Sequence, residues 1–138
     1  MRRLFASITI LSLCLLVGAC DSGTAPTQAT VAGTWNLTSL NGSPPPVTVQ
    51  AANPRIDVTL AQMQLGTDGG FSLLTVEKHT TGTTAENFTY TDAGYYVLID
   101  NEITLGFTDG SSLIGQIDGN TITLNLNGVT EIYEKKTP

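Results

Sequence analysis

Few side chains in this sequence could do chemistry. His79 is the single histidine, and Glu77 stands two places before it. On a strand that spacing puts imidazole and carboxylate on one face, the least that a metal pair requires. One histidine among scattered acids makes a poor transition-metal site, because such sites gather three or four ligands. An exposed histidine at a strand end, beside the polar run Thr80-Thr81-Gly82-Thr83-Thr84, accounts for His79 better. No Gly-x-Ser-x-Gly elbow occurs, and no spacing supports a Ser–His–Asp arrangement. Asp68, Asp92, Asp109 and Asp118 each fall in a turn-like run without the dense ligand loop of a calcium site. No glycine opens a helix that would cradle phosphate. The expectation is a protein that is not an enzyme, with no catalytic residue, no metal and no cofactor.

The remaining chemistry belongs to the thiols. Arg2 and Arg3 are followed by the uncharged stretch Leu4 to Val17, then by Gly18, Ala19 and Cys20. That stretch is too short for a spanning helix, which takes about 20 residues, and suits the apolar region of a signal peptide. Val17-Gly18-Ala19-Cys20 resembles the bacterial lipobox. The resemblance implies cleavage before Cys20, diacylation of its thiol and acylation of the new amine. Several acyl chains anchor durably, at about 0.8 kcal/mol per buried methylene. The expected layout is a signal peptide over 1–19, a flexible tether over 20–30 and one domain over 31–138. The expected address is the bacterial cell envelope, with the N-terminal lipid in a membrane and the domain on its periplasmic or surface side. Asp21 favours inner-membrane retention in enterobacteria-like systems; other bacterial groups do not follow that rule, so the choice of membrane stays open.

Loss of Arg2 and Arg3 leaves four basic residues against 12 acidic ones, a formal charge of −8 in place of −6. Such a chain lacks the basic face that nucleic acid demands, and the polybasic patch that docks on anionic lipid. Cys14 leaves with the signal and Cys20 is consumed by lipid, so no disulfide can form. Packing and strand pairing must hold the domain. The run DSGTAPTQAT, Asp21 to Thr30, is too small and polar to offset its own ordering entropy, hence the tether.

From Val31 onward the pattern is that of strands. Asn41-Gly42, Asp68-Gly69-Gly70, Asp92-Ala93-Gly94, Asp109-Gly110, Asp118-Gly119-Asn120 and Asn127-Gly128 recur as turn signals. Between them lie β-branched and aromatic segments. Strands are expected over Gly33 to Leu40, Ile56 to Leu65, Phe71 to Lys78, Ala85 to Thr91, Tyr95 to Ile99, Glu102 to Thr108, Ser112 to Asp118, Thr121 to Leu126 and Val129 to Lys135, with a short one at Val47-Thr48-Val49. Trp35, Leu37 and Ser39 share a face in simple alternation. In the Ile56 segment the apolar side switches from Ile56, Val58 and Leu60 to Met63 and Leu65, which predicts a bulge near Leu60–Ala61. A weak repeat relates Ile99-Asp100-Asn101-Glu102-Ile103-Thr104-Leu105 to Ile117-Asp118-Gly119-Asn120-Thr121-Ile122-Thr123-Leu124. Hairpin-short connections after Gly70 favour a meander of eight or nine antiparallel strands. Closure into an up-and-down barrel removes its open edges; a β-sandwich is the alternative.

Ala32-Gly33-Thr34-Trp35-Asn36-Leu37 resembles the Gly-x-Trp opening of lipocalin-like barrels. The proline loop, the Thr-Asp-Gly-Gly turn, the Asp-Gly hairpins and the terminal Tyr-Glu-Lys are similar to small bacterial lipocalin-like lipoproteins, over Val31 to Lys136. The resemblance implies that Trp35 plugs the barrel floor, with Lys135 or Lys136 as a cation over its ring, a contact of roughly 0.5–2 kcal/mol. It also implies a ligand calyx, for which Phe71, Phe88, Tyr90 and Phe107 are the lining candidates. Strands of about seven residues span roughly 23 Å, which predicts a shallow calyx or one filled by its own side chains. Two functions are therefore expected of a membrane-anchored envelope lipoprotein: holding a small apolar ligand, or serving as a structural module that docks an envelope protein.

Overall fold

The computed structural model describes residues 24–137. Cys20, its lipobox and the start of the tether lie outside these residues. A helical turn, α1 (Gln28–Val31), precedes nine strands: β1 (Gly33–Leu40), β2 (Val47–Gln50), β3 (Arg55–Leu65), β4 (Gly70–Thr81), β5 (Thr84–Ile99), β6 (Glu102–Phe107), β7 (Ser112–Asp118), β8 (Thr121–Leu126) and β9 (Val129–Lys135). From β3 to β9 each strand pairs antiparallel with the next. β1 closes the ring, because it pairs with β9 and also with β3, from Gly33↔Leu65 to Asn36↔Gln62. The expected all-β meander is thus a closed eight-strand barrel, the architecture of lipocalin-like domains, with β2 as an extra strand.

Alternation fills the interior. Trp35, Met63, Tyr96, Ile103, Leu105, Ile122, Leu124 and Tyr133 point inward and are fully buried. No polar or charged residue is buried among the described residues. The two buried phenols keep their partners: Tyr96 donates to the Gly66 carbonyl at 2.6 Å and Tyr133 to Glu131 Oε2 at 2.9 Å. Burial without a partner would cost each hydroxyl about 1–3 kcal/mol.

Two register shifts tune the inward row. The β3–β4 ladder slips between Val58 and Leu60, one residue from the expected bulge. Val58 and Ala61 both turn inward as a result, and Leu60 turns out. The β1–β9 ladder slips between Leu37 and Ser39, so Leu40 fills the core where simple alternation predicts Ser39.

Two sequence expectations are corrected. Asp92-Ala93-Gly94 is not a turn: β5 runs unbroken from Thr84 to Ile99, and these three residues pair with Leu73, Ser72 and Phe71. Gly94 serves a close approach instead, since a Cβ there would collide with the Gly106 carbonyl on β6. The stretch expected to be a flexible tether ends in structure. Thr27 and Thr30 cap each other reciprocally, forming α1, and Val31 is buried. A helix of one turn does not hold alone. Here Trp35 Nε1 donates to the Val31 carbonyl at 2.9 Å and Lys135 Nζ donates to the Thr30 carbonyl, tying the turn beneath the barrel.

At the other end the sheet outruns the barrel. β4 and β5 stay paired up to Thr81↔Thr84, whereas β6 reaches β5 only from Gly94↔Phe107 onward. β1 leaves β3 after Asn36↔Gln62, and β2 takes up the same edge at Val47↔Val58. The result is a four-stranded arm, β2–β3–β4–β5, standing past the barrel mouth.

Candidate functional site

The floor is built around Trp35. Trp35 is completely buried, and Lys135 Nζ lies 5.7 Å from its ring centroid. Of the two terminal lysines Lys135 takes this place, because Trp35↔Lys135 is a register pair of β1 and β9. Gly33, at φ +132°, lets the Lys135 stem pass: a Cβ there would sit 3.2 Å from Lys135 Cε. The floor is sealed by one indole, one cation and α1.

The mouth is open. A cavity of about 320 Å³ lies at this end, with Leu73, Phe107, Leu113 and Leu126 on its walls and Asp92, Asp109 and Glu131 among its polar groups. Leu126 continues the inward row of Ile122 and Leu124 yet is 54% exposed, because no side chain closes over it. Asp109 accepts from the Ser111 hydroxyl and backbone N–H at 2.6 and 2.8 Å. Those bonds, the hydroxyl's first, hold its carboxyl below the usual aspartate range. Burial pushes the Tyr133 phenol well above the usual tyrosine range, and the neighbouring Glu131 carboxylate adds to the shift.

The four aromatic candidates divide into two pairs. Phe71 and Phe107 meet edge to face inside the barrel, ring centroids 5.2 Å apart and planes at 88°. Phe107 lines the mouth cavity, with Phe71 behind it. Phe88 and Tyr90 lie on the continuation of the inward row, but in the arm, where they are 39% and 44% exposed and do not line that cavity. His79 is in the arm as well, on the same face as Glu77 as the strand spacing requires. Its Nε2 is 2.7 Å from Glu77 Oε2, and its ring lies tilted at 43° against Phe88 with centroids 4.5 Å apart. Among the described residues no three His, Cys, Asp or Glu side chains gather as a metal site.

Leu73, Leu113 and Leu126 are the cavity residues that the aromatic reasoning missed. Their inward parity was legible; their position at the unfilled end was not. On the outer wall Tyr95, Val97 and Ile99 of β5 and Ile114 of β7 form a second apolar feature, each more than half exposed.

Fold and site together define a small lipocalin-like barrel with a sealed floor and an open mouth. Comparison of the chain with protein-family models, curated proteins and solved structures gives no match.

Proposed function

We propose that this protein is a lipid-anchored lipoprotein of the bacterial envelope whose barrel mouth holds a small apolar ligand. The observation that carries the reading is the mouth cavity. Its apolar walls are inward-facing positions at the end of the barrel where no side chain closes over them. Barrel mouths are a recurrent place for ligand sites, and sites of this kind span roughly 300–1,000 Å³. At about 320 Å³ this cavity admits a compact molecule or the end of an acyl chain, not a wide ring system. The anchor rests on the order of Arg2-Arg3, the uncharged stretch and Val17-Gly18-Ala19-Cys20.

Titration with a fluorescent fatty acid tests the site. Saturable binding that weakens at least tenfold in Leu126→Glu, a cavity residue already 54% exposed, with the melt unchanged, is the expected result. Equal binding by both proteins contradicts the site. Cys20→Ser tests the anchor: the protein should leave the membrane fraction and keep its leader, and unchanged membrane retention contradicts the lipobox reading.

A second reading is favoured by the outer stripe of Tyr95, Val97, Ile99 and Ile114. Exposed apolar clusters of this kind mark protein contacts, so the barrel would act as a structural module docking an envelope protein.

A further inference from the structure

The arm ends in two sheet edges that differ in kind. β2 has four residues, a register shift between Thr48 and Gln50, and Pro44-Pro45-Pro46 just before it. Short length, irregular register and proline all blunt an edge against further pairing. β5 has none of these. From Thr84 to Asp92 it is paired on one side only, by β4, and every residue of that segment is exposed. The segment holds no proline, lysine or arginine, and no bulge interrupts its ladder.

The phase of the open side is fixed by two bonds. The Ala93 carbonyl accepts from Thr108 N–H on the β6 side, and Tyr96 N–H donates to the Gly69 carbonyl on the β4 side. Along an antiparallel strand these directions alternate. Ala85, Asn87, Thr89 and Thr91 therefore turn both backbone groups toward the open side, and the even-numbered residues between them turn theirs to β4.

We propose that this edge pairs with the same edge of a second copy of the chain, antiparallel, about a two-fold axis at Phe88. Centred there, the whole segment Thr84 to Asp92 is used. Ala85 meets Thr91 and Asn87 meets Thr89 as hydrogen-bonded pairs, which gives about eight backbone bonds. On the other face Phe88 meets Phe88, Glu86 meets Tyr90, and Thr84 meets Asp92. No like charges stand opposite. An axis at Thr89 sets Glu86 against Asp92, a destabilising cross-strand pair, and an axis at Asn87 leaves the Asp92 end of the segment unpaired. The charge pattern thus selects one register, and that register is self-complementary. It also gathers the otherwise unexplained Phe88 and Tyr90 of both copies on one surface. Because each chain is strongly acidic, with 12 acidic residues against at most six basic ones, the long-range repulsion between copies is screened by salt, and pairing strengthens as salt is raised.

A charge swap at the axis is the test, read by sedimentation equilibrium of the full-length protein purified in detergent. The unaltered protein should show twice the chain mass. Phe88→Lys alone and Phe88→Glu alone should each show the single mass, because like charges meet at the axis. A one-to-one mixture of the two should recover the double mass. A monomer at every concentration for the unaltered protein overturns the proposal and leaves the edge to a strand of another protein. Dimers that survive both single substitutions, or a mixture that stays monomeric, overturn it equally. Mouth binding of the fatty-acid probe should be the same in all of these proteins, so failure of this pairing and failure of the ligand site are separable.

Discussion

The barrel and the arm are made from the same strands and obey opposite rules. On β4, Phe71 is buried and packed edge to face on Phe107; on the paired strand β5, in the arm, Phe88 is 39% exposed with His79 tilted against it. Each belongs to the inward-facing row of its strand. The difference is what closes over them. In the barrel seven other strands complete the wall, so alternation becomes burial. In the arm the sheet has four strands and no opposing wall, so the same alternation leaves aromatics in water. Stability should therefore concentrate in the barrel, and changes in the arm should be read out in association rather than in folding.

The largest test of that contrast is at the floor. Trp35→Ala should lower stability by about 3–5 kcal/mol, measured by chemical denaturation, because it empties the sealed end and removes the donor to Val31. A loss below about 1 kcal/mol would mean that the floor is not where the barrel is held. Next is Gly94→Ala, at the level where β5 passes from arm to barrel. Overpacking against the Gly106 carbonyl should destabilise by about 1–3 kcal/mol, although the residue lies in a run that reads as a turn. If Asp92-Ala93-Gly94 were a turn after all, the same substitution would leave the β5–β6 ladder untouched, and amide exchange across it would not change.

Tyr133 sharpens the comparison through pH. Its phenol is buried and its ionisation is pushed up, so the folded state favours the neutral form. That contribution is intact below the ordinary phenol value of about 10 and is lost as pH rises beyond it. Stability should fall on the alkaline side, and Tyr133→Phe should shallow that fall while costing about 1 kcal/mol at neutral pH for the Glu131 bond. An equally steep alkaline loss in the variant would contradict the assignment. The smallest effect is expected in the arm: Tyr90→Ser should change stability by no more than about 0.5 kcal/mol.

The sequence made the closed meander legible because alternation, turn pairs and short connections all agreed. The β3 bulge was legible as a change of phase, and Trp35 with Lys135 from the Gly-x-Trp resemblance. Three things were not. Period two assigns a residue to a row but not to a height, so Phe88 and Tyr90 could not be told from Phe71 and Phe107. Asp-Ala-Gly carries turn propensity, yet Gly94 is required by the approach of β6, a constraint from a strand that comes later in the chain. Thr27 and Thr30 form a cap without the glutamate that marks the usual capping box, and only the floor contacts of Val31 and Lys135 make that turn hold.

The central claim is that the open mouth is a site and not merely an unfinished end of the core. Native mass spectrometry of the protein purified from the envelope that produces it, released gently from detergent, tests this most directly. A fraction of molecules should carry one extra small molecule, and that mass should vanish in Leu126→Glu while the melt stays the same. The bare protein mass in every preparation, unchanged by Leu126→Glu, would contradict the account.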